Sequence, residues 1–292
     1  MCWQPNDPCY ASQQWYLHND GSKAGSIEDA DIHAPEGWGF WHGGENTVIG
    51  VWMGGVDYNH PDLAANIWTN PGEIPNNGID DDHNGYIDDV HGYNFWYHDT
   101  GIMDYGTGQG TEQAGLIAAV GDNGIGLSGV CPHCKIAVLA VFTPFPAPHY
   151  SVGEAAFYAN AMGIEIQNHS YYPYAGYYQN ILDALEEADT LGYLAVMCAG
   201  TNQYLRGTNY IGPPAYYADL YGFQNTLVVG GSTNADQRDF ISNWDVNVVD
   251  LFAPCGCYTT AYNFGAEGYN TYSMTNSSSS LVAGMAGLLK DY

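Results

Sequence analysis

Short apolar segments alternate with segments of helical character along most of this 292-residue chain. Five of the apolar segments have the length and composition of buried strands. They are residues 47–53, 135–142, 164–170, 193–200 and 226–232. Buried strands that alternate with helices build a mostly parallel sheet with helices on both faces. The sequence therefore predicts a three-layer α/β fold.

Helices are predicted at residues 111–120, 152–162 and 180–191. The third helix places Ile181, Leu182, Leu185 and Ala188 on one apolar stripe. No repeat, charge block or Gly/Ser linker divides the chain. We therefore expect one domain over residues 1–292, with residues 1–45 as an N-terminal extension packed on it.

Three glycine-rich turns have motif character. They read VWMGGVDYNHPDL at 51–63, GQGTEQAG at 108–115 and YSMTNSSSSLVAG at 272–284. In this order they resemble the Asp, His and Ser motifs of the subtilase family, which read VIDTGVDxxHPDL, GHGTHVAG and SGTSMATPHVAG. Further segments resemble subtilases from about residue 6 to residue 289. The resemblance implies a subtilisin-like fold and, in ordinary members of the family, serine endopeptidase activity.

The three catalytic centres of the family are substituted in this chain. Met53 stands at the position of the Asp, Gln109 at that of the His and Asn276 at that of the Ser. A thioether has no charge to orient an imidazole, an amide cannot shuttle protons near neutral pH, and an asparagine is not a useful nucleophile. The motif frames therefore predict a degenerate triad.

The resemblance also identifies the surrounding substrate-binding positions. Thr201 occupies the position of the family's oxyanion-hole Asn, with Asn202 next to it. The substrate-pairing strand of the family continues after Asn168 as Ser, apolar, Gly, Gly. Here it continues as Ser170, Tyr171, Tyr172 and Pro173. Bulky rings and the missing N–H of proline are expected to obstruct an extended peptide.

A serine next to Asn276 is the alternative candidate for the nucleophile. A slip of the frame would bring Ser277 near the nucleophile position, but Gln109 leaves it without a base, and Glu112 lies three residues further on. Loss of any triad member leaves only about 10³- to 10⁴-fold catalysis over water. We therefore expect no peptidase activity.

The string IDDDHNGYIDDVH, residues 79–91, predicts a calcium site. Relative positions 1, 3, 5, 6, 7 and 9 of an EF-hand-like loop are filled by Asp80, Asp82, Asn84, Gly85, the carbonyl of Tyr86 and Asp88. Position 12 is His91 in place of Glu, so Asp89 or Asp81 is expected to supply the remaining carboxylate.

A second calcium site is implied by the resemblance alone. In subtilases the Asp of the HPDL motif shares one calcium with a loop that follows the His-bearing helix. The matching positions are Asp62, Asp122, Asn123 and the carbonyls of Ile125 and Leu127. Residues 1–45 would form the arm packed at this site.

The seven cysteines are spaced as three close groups and one single residue. The groups are Cys2 with Cys9, Cys131 with Cys134 and Cys255 with Cys257, while Cys198 stands alone in an apolar string. A CxxC and a CxC could supply four thiolates to zinc, but the CxC spacing suits a structural site poorly. Local disulfides in an oxidising compartment fit better, with Cys198 an inert core thiol.

The formal net charge is −27, from 32 acidic and five basic residues. This charge repels nucleic acid and anionic lipid and attracts divalent cations. No apolar run reaches the roughly 18 residues that a membrane span needs. An extracellular or cell-surface location is expected.

Three functions remain open from the sequence. The 25 Tyr and eight Trp, with the run YYPYAGYY, suggest an interaction surface. The first hypothesis is an inactive, calcium-stabilised subtilase that self-assembles as a surface or filament subunit. The second is a non-cleaving binder of peptides, proteins or glycans, and the third is an active endopeptidase.

Overall fold

The structure is a computed structural model that describes residues 3–104, 108–141, 149–171, 178–201, 211, 214–261, 268–290 and 292. Its parallel strands are β1 (Val48–Met53), β2 (Gly92–Asn94), β3 (Lys135–Ala140), β4 (Ile166–His169), β5 (Leu194–Cys198), β6 (Thr226–Ser232) and β7 (Leu251–Pro254). Within the described ranges they form one sheet in the order β2-β3-β1-β4-β5-β6-β7. A separate antiparallel pair consists of β8 (Cys257–Thr260) and β9 (Tyr269–Tyr272).

The helices are α1 (Tyr10–Gln13), α2 (Ala34–Trp38), α3 (Gln109–Ala118), α4 (His149–Ala161), α5 (Gln179–Leu191), α6 (Ala215–Tyr221) and α7 (Thr275–Lys290). A 3₁₀ turn occupies Ala64–Asn66. The three predicted helices correspond to α3, α4 and α5. None of the helices in the described part of the chain has both the length and the apolar character to cross a membrane.

The sheet has a core on each face, as the predicted three-layer fold requires. Along β3 the side chains of Ile136, Val138 and Ala140 join one apolar cluster, which also contains residues of α3 and α7. The alternate residues Ala137 and Leu139 join a second cluster with residues of α4, α5 and α6. Successive side chains of a strand point to opposite faces, so a strand apolar throughout buries both faces. The predicted fold class is confirmed.

The segment before β1 packs against the rest of the chain. Tyr16 and Trp38 are buried in the first cluster, and the indole Nε1 of Trp38 donates a hydrogen bond to the carbonyl of Val130 at 2.8 Å. The side chain of Gln14 exchanges hydrogen bonds with the backbone of Ser128, at 2.7 and 3.0 Å. These contacts join the N-terminal segment to the loop before β3, while a single domain over 1–292 with residues 1–45 as its extension stays a prediction.

The cysteine predictions have different outcomes. Cys131 and Cys134 form the predicted disulfide. The prediction for Cys255 and Cys257 is wrong, because both are free, buried thiols. The thiol of Cys257 donates a hydrogen bond to the carbonyl of Pro254 at 3.6 Å, whereas Cys255 packs beside Gly231 of β6. The two side chains therefore point into different surroundings.

The remaining thiols are also accounted for. Cys2 lies outside the described residues, so its pairing with Cys9 stays a prediction. Cys198 is buried, and burial raises the pKa of its thiol to about 11, which agrees with an inert core thiol. Because Cys131 and Cys134 are bonded to each other, the alternative of a four-thiolate zinc site does not hold.

Candidate functional site

Met53, the predicted Asp position, is the last residue of β1 and is only 2% exposed. It shares an apolar cluster with Trp52 and Met197. A Cβ atom built on Gly110 would lie 3.3 Å from Met53 Cβ, so Met53 faces the first turn of α3. The position holds a buried, uncharged thioether.

Gln109, the predicted His position, begins α3. Gly108 before it has a φ of 72°, a conformation that glycine adopts without a steric penalty. The amide Nε2 of Gln109 lies 4.0 Å from the sulfur of Met274, directly before α7. Asn276 is the second residue of α7. The structure thus brings the three triad positions to one place, at the end of β1 and the N-terminal ends of α3 and α7.

Asn276, the predicted Ser position, is half-buried and makes structural hydrogen bonds. Its amide Nδ2 donates to the carbonyl of Ser170, which follows β4. The backbone carbonyl of Asn276 accepts hydrogen bonds from the hydroxyls of Ser279 and Ser280, at 3.1 and 2.8 Å. The side chain therefore ties α7 to the end of β4, and an amide supplies no nucleophile.

The serines after Asn276 offer no replacement nucleophile. The hydroxyls of Ser277 and Ser278 are buried and donate to the carbonyls of Met274 and Pro254, at 2.7 and 3.0 Å. Within the described part of the chain, no hydroxyl of residues 277–280 is hydrogen-bonded to an imidazole or a carboxylate. His169 is buried and stacked on Trp52, and burial lowers its pKa to about 3. A serine and a base are therefore not paired here.

The predicted substrate-binding positions are only partly described. Thr201 has its hydroxyl 3.4 Å from that of Thr275, which also accepts a hydrogen bond from the backbone N–H of Gly200. Ser170 is buried and contacts the hydroxyl of Ser279 at 2.6 Å. Tyr171 differs from the prediction of an obstructing ring, because it is 3% exposed and packs inward beside His169. Asn202, Tyr172 and Pro173 lie outside the described residues.

Glu112 is a buried carboxyl one helical turn from Gln109. Burial, and then the nearby negative charge of Asp104, raise its pKa to about 7, against a hydrogen bond from Asn270 that acts to lower it. It is therefore a group near the triad positions that can titrate near neutral pH. Sequence reasoning considered Glu112 only as a distant base, since no pattern reveals a carboxyl enclosed by β8 and β9.

An acidic cluster is formed by Glu73, Asp82 and Asp89, whose potential ligand oxygens all lie within 4.8 Å of one another. Glu73 and Asp89 are buried. The amides of Asn70 and Asn84 each donate to both Asp82 and Asp89, at 3.0–3.2 Å. Carboxylate oxygens held this close are suited to a hard divalent cation such as calcium.

The predicted ligands of the 79–91 loop are only partly in this cluster. Asp82 and Asp89 belong to it, and Asp89 is one of the two residues expected to complete the site. Asn84 contacts the cluster through its amide nitrogen, while its amide oxygen accepts a hydrogen bond from the N–H of Tyr86. Asp80 instead accepts hydrogen bonds from the backbone of residues 84 and 85, at 3.1 and 2.9 Å. Asp88 accepts from the backbone of residues 77 and 78, at 3.1 and 3.0 Å.

Two further features of this loop concern Tyr86 and Glu73. The hydroxyl of Tyr86 donates to Glu154 at 3.3 Å, and its ring packs on Tyr158. Glu73, seven residues before Asp80, was missed. Its carboxylate accepts from the backbone N–H groups of Asp81 and Asp88, at 2.9 and 3.0 Å. The EF-hand spacing does not extend upstream to Glu73, so only the acidic side chain itself was a signal.

The predicted second calcium site centres on Asp62, which is fully buried. Its carboxylate accepts hydrogen bonds from Asn123 Nδ2 at 2.7 Å, from the N–H of Leu127 at 3.0 Å and from the hydroxyl of Tyr269 at 3.1 Å. Burial raises the pKa of Asp62 to about 6. The structure therefore places Asp62, Asn123 and Leu127 together.

The rest of this region involves the N-terminal arm. Asp7 was missed by sequence reasoning, and its carboxylate accepts from the N–H groups of Asp122 and Asn123, at 2.8 and 3.3 Å. The carboxylate of Asp122 accepts from the N–H of Asn6 at 2.9 Å. The side chain of Ile125 is 42% exposed. The predicted calcium-site arm does reach this loop.

Comparisons with known proteins agree with this geometry. The model of the Subtilase family, Peptidase_S8, matches residues 44–292. The chain is 27% identical to thermitase from Thermoactinomyces vulgaris over 286 residues, which cover 98% of this chain and 85% of that protein. It is 44% identical to subtilisin-like protease 1 from Plasmodium berghei, over 32% of this chain and 16% of that protein. The matched segment thus spans less than a fifth of this Plasmodium relative.

A solved structure gives the same architecture. That structure, of proteases from Pseudoalteromonas arctica PAMC 21717, superimposes on this chain with a TM-score of 0.75 at 21% sequence identity. The alignment covers 99% of this chain and 87% of that one. At this identity the likeness concerns the fold.

Proposed function

This chain belongs to the subtilase family, and we propose that it is a member that has kept the fold and lost peptide-bond cleavage. The observation that carries the proposal is the set of side chains at the three triad positions. Met53 is buried in an apolar cluster, Gln109 lies beside Met274, and Asn276 is hydrogen-bonded to Ser170. None of the three can attack a carbonyl carbon, and none can accept the proton of an attacking hydroxyl.

Activity measurements with a rebuilt triad test this proposal. The wild-type chain should neither degrade casein nor be labelled by a fluorophosphonate. The triple variant Met53→Asp, Gln109→His and Asn276→Ser should react with the probe, because the three positions already lie at one place. The double variant Met53→Asp and Gln109→His, which lacks the nucleophile, is the matched control and should stay unlabelled.

The competing reading is an active serine endopeptidase. Casein cleavage by the wild-type chain that is abolished by a serine-directed inhibitor would establish it and refute the loss of activity. Labelling that survives in Ser277→Ala would exclude that residue as a shifted nucleophile.

Calcium is proposed as the structural cofactor. Support comes from the carboxylates of Glu73, Asp82 and Asp89, and from the buried carboxylate of Asp62 beside Asn123. Oxygen donors suit calcium, and an ion that binds only the folded state stabilises it. Chelation should therefore lower the melting temperature. Glu73→Gln should weaken calcium binding, whereas Glu36→Gln, an exposed carboxylate of α2, should not.

Self-association outside the cell is the proposed role of the inactive fold. Support comes from β7, which ends the described sheet, and from exposed apolar side chains near it: Phe240, Val246 and Phe252 are 61%, 84% and 43% exposed. An open sheet edge with apolar neighbours invites pairing between chains. The Cys131–Cys134 disulfide supports an oxidising compartment.

Light scattering on the purified chain tests this role. Oligomers that dissociate in Phe252→Lys, and persist in Phe157→Lys on α4, would support assembly through β7. A monomer at micromolar concentration would instead favour the alternative of a peptide, protein or glycan binder.

A further inference from the structure

A cavity of about 490 Å³ lies between the end of α2 and the CPHC turn before β3, and its lining contains none of the triad positions or clustered carboxylates. Its lining includes Trp3, Trp38, Phe40, Trp41, His42 and His133. We call this cavity the tryptophan pocket. Its volume is in the range of small-ligand sites. Nothing in the proposed function uses it.

The inner walls of the pocket are fixed by packing. Trp38 is 1% exposed and is held by its hydrogen bond to Val130. The Trp3 ring stands at 86° to Trp38, with ring centroids 4.9 Å apart, and lies 4.5 Å from the ring of His42. Trp3 and Trp38 thus pack edge to face, which fixes both rings at the inner side of the pocket.

The floor of the pocket depends on a glycine. Gly43 has a φ of 84°, and a Cβ atom there would lie 2.3 Å from the sulfur of Cys131. No other residue fits at this point without moving the disulfide. The outer rim consists of Phe40 and Trp41, which are 75% and 40% exposed. The pocket therefore combines a rigid base with accessible aromatic rings.

The charge around the pocket favours a cation. Among the described residues, no Asp, Glu, Lys or Arg side chain lines it, while the whole chain carries a formal charge of −27. A negative protein field concentrates cations, and aromatic faces attract them through the ring quadrupole. His133 is one of the two histidines in the lining. Burial, and then the neighbouring His42 and Lys135, lower the pKa of His133. The carboxylate of Glu45 acts in the opposite direction.

We propose that the tryptophan pocket binds a quaternary ammonium group. A primary ammonium carries three N–H donors that need acceptors in place of water. The lining supplies no carboxylate for them. A quaternary ammonium has no donors to satisfy, so aromatic rings alone can replace its weak hydration.

Titration calorimetry with choline and with its neutral carbon isostere 3,3-dimethylbutan-1-ol tests the charge requirement at pH 8. The two probes have the same shape, so burial of apolar surface contributes equally to both. Choline should bind at least about tenfold more tightly, which corresponds to about 1.4 kcal/mol. Trp41→Ala should abolish choline binding, whereas Trp244→Ala, which is similarly exposed at 45% but lies elsewhere, should leave it unchanged.

Three results would overturn the proposal. Equal affinity for choline and the isostere would overturn the proposal and indicate an apolar pocket. Tighter binding of a neutral disaccharide than of choline would overturn it in favour of a glycan site. Absence of choline binding up to about 50 mM would also refute it.

Discussion

The buried carboxyl of Glu112 should make the stability of this protein fall as the pH rises through neutrality. Glu112 is 6% exposed and lies in α3 with β8 and β9 packed beside it. Besides burial, the like charge of Asp104 raises its pKa, and a hydrogen bond from the neutral side chain of Asn270 acts to lower it. Replacement by Gln keeps the size and removes the ionisation, which isolates the effect of the charge.

The magnitude follows from the pKa. Burial raises the pKa of Glu112 from an ordinary value of 4.5 to about 7. Because the folded state binds the proton more tightly than the unfolded state, its stabilising contribution is complete below pH 4.5 and is lost as the pH rises through about 7. A tenfold change in proton binding is worth about 1.4 kcal/mol, so the loss is on the order of 3 kcal/mol.

Urea unfolding at pH 5 and pH 8, with calcium saturating at both, measures this effect. The free energy of unfolding of Glu112→Gln minus that of the wild type should be larger at pH 8 than at pH 5, by up to about 3 kcal/mol. The exposed Glu36→Gln should show no such difference. If the free-energy difference between wild type and Glu112→Gln is the same at both pH values, the carboxyl is not held protonated by its surroundings and the reasoning fails.

Other predictions concern packing around the triad positions. Gly110→Ala should destabilise the fold strongly, because its Cβ atom would lie 1.9 Å from the carbonyl oxygen of Gly55. Gly37→Ala in α2, where the nearest atom is a Leu288 methyl at 3.4 Å, should be tolerated, and equal melting temperatures for the two would contradict this. Leu116→Ala, fully buried in α3, should cost about 2–5 kcal/mol in chemical denaturation, and a cost below that of the 70% exposed Leu289→Ala would refute its core role.

The sequence predicts the central strands and part of each acidic cluster, but misses the short strands and the carboxylates that come from distant segments. β1, β3, β4, β5 and β6 were predicted because central parallel strands are apolar on both faces. β2 has three residues and the edge strand β7 four, too few to stand out. Glu73 and Asp7 were missed for a different reason. They reach their clusters from separate segments of the chain, which leaves no periodic or spaced pattern in the sequence.

The structure also explains why motif frames can persist around substituted triad positions. Gly55 has a φ of 116°, and a Cβ atom there would lie 2.7 Å from the carbonyl oxygen of Ile102, so the frame of the first motif is fixed by backbone packing. Gly110 packs on Gly55, and a Cβ atom at Gly284 of the third motif would lie 2.8 Å from Val130.

Positions 53, 109 and 276 carry no comparable steric demand. Met53 fills apolar space, and Gln109 and Asn276 lie at helix N-terminal ends, where a range of polar residues fits. Substitution of a frame glycine therefore costs the fold much, because backbone or side-chain atoms stand where its Cβ atom would lie. A match to the frames indicates the fold, and the chemistry must be argued from the three side chains themselves.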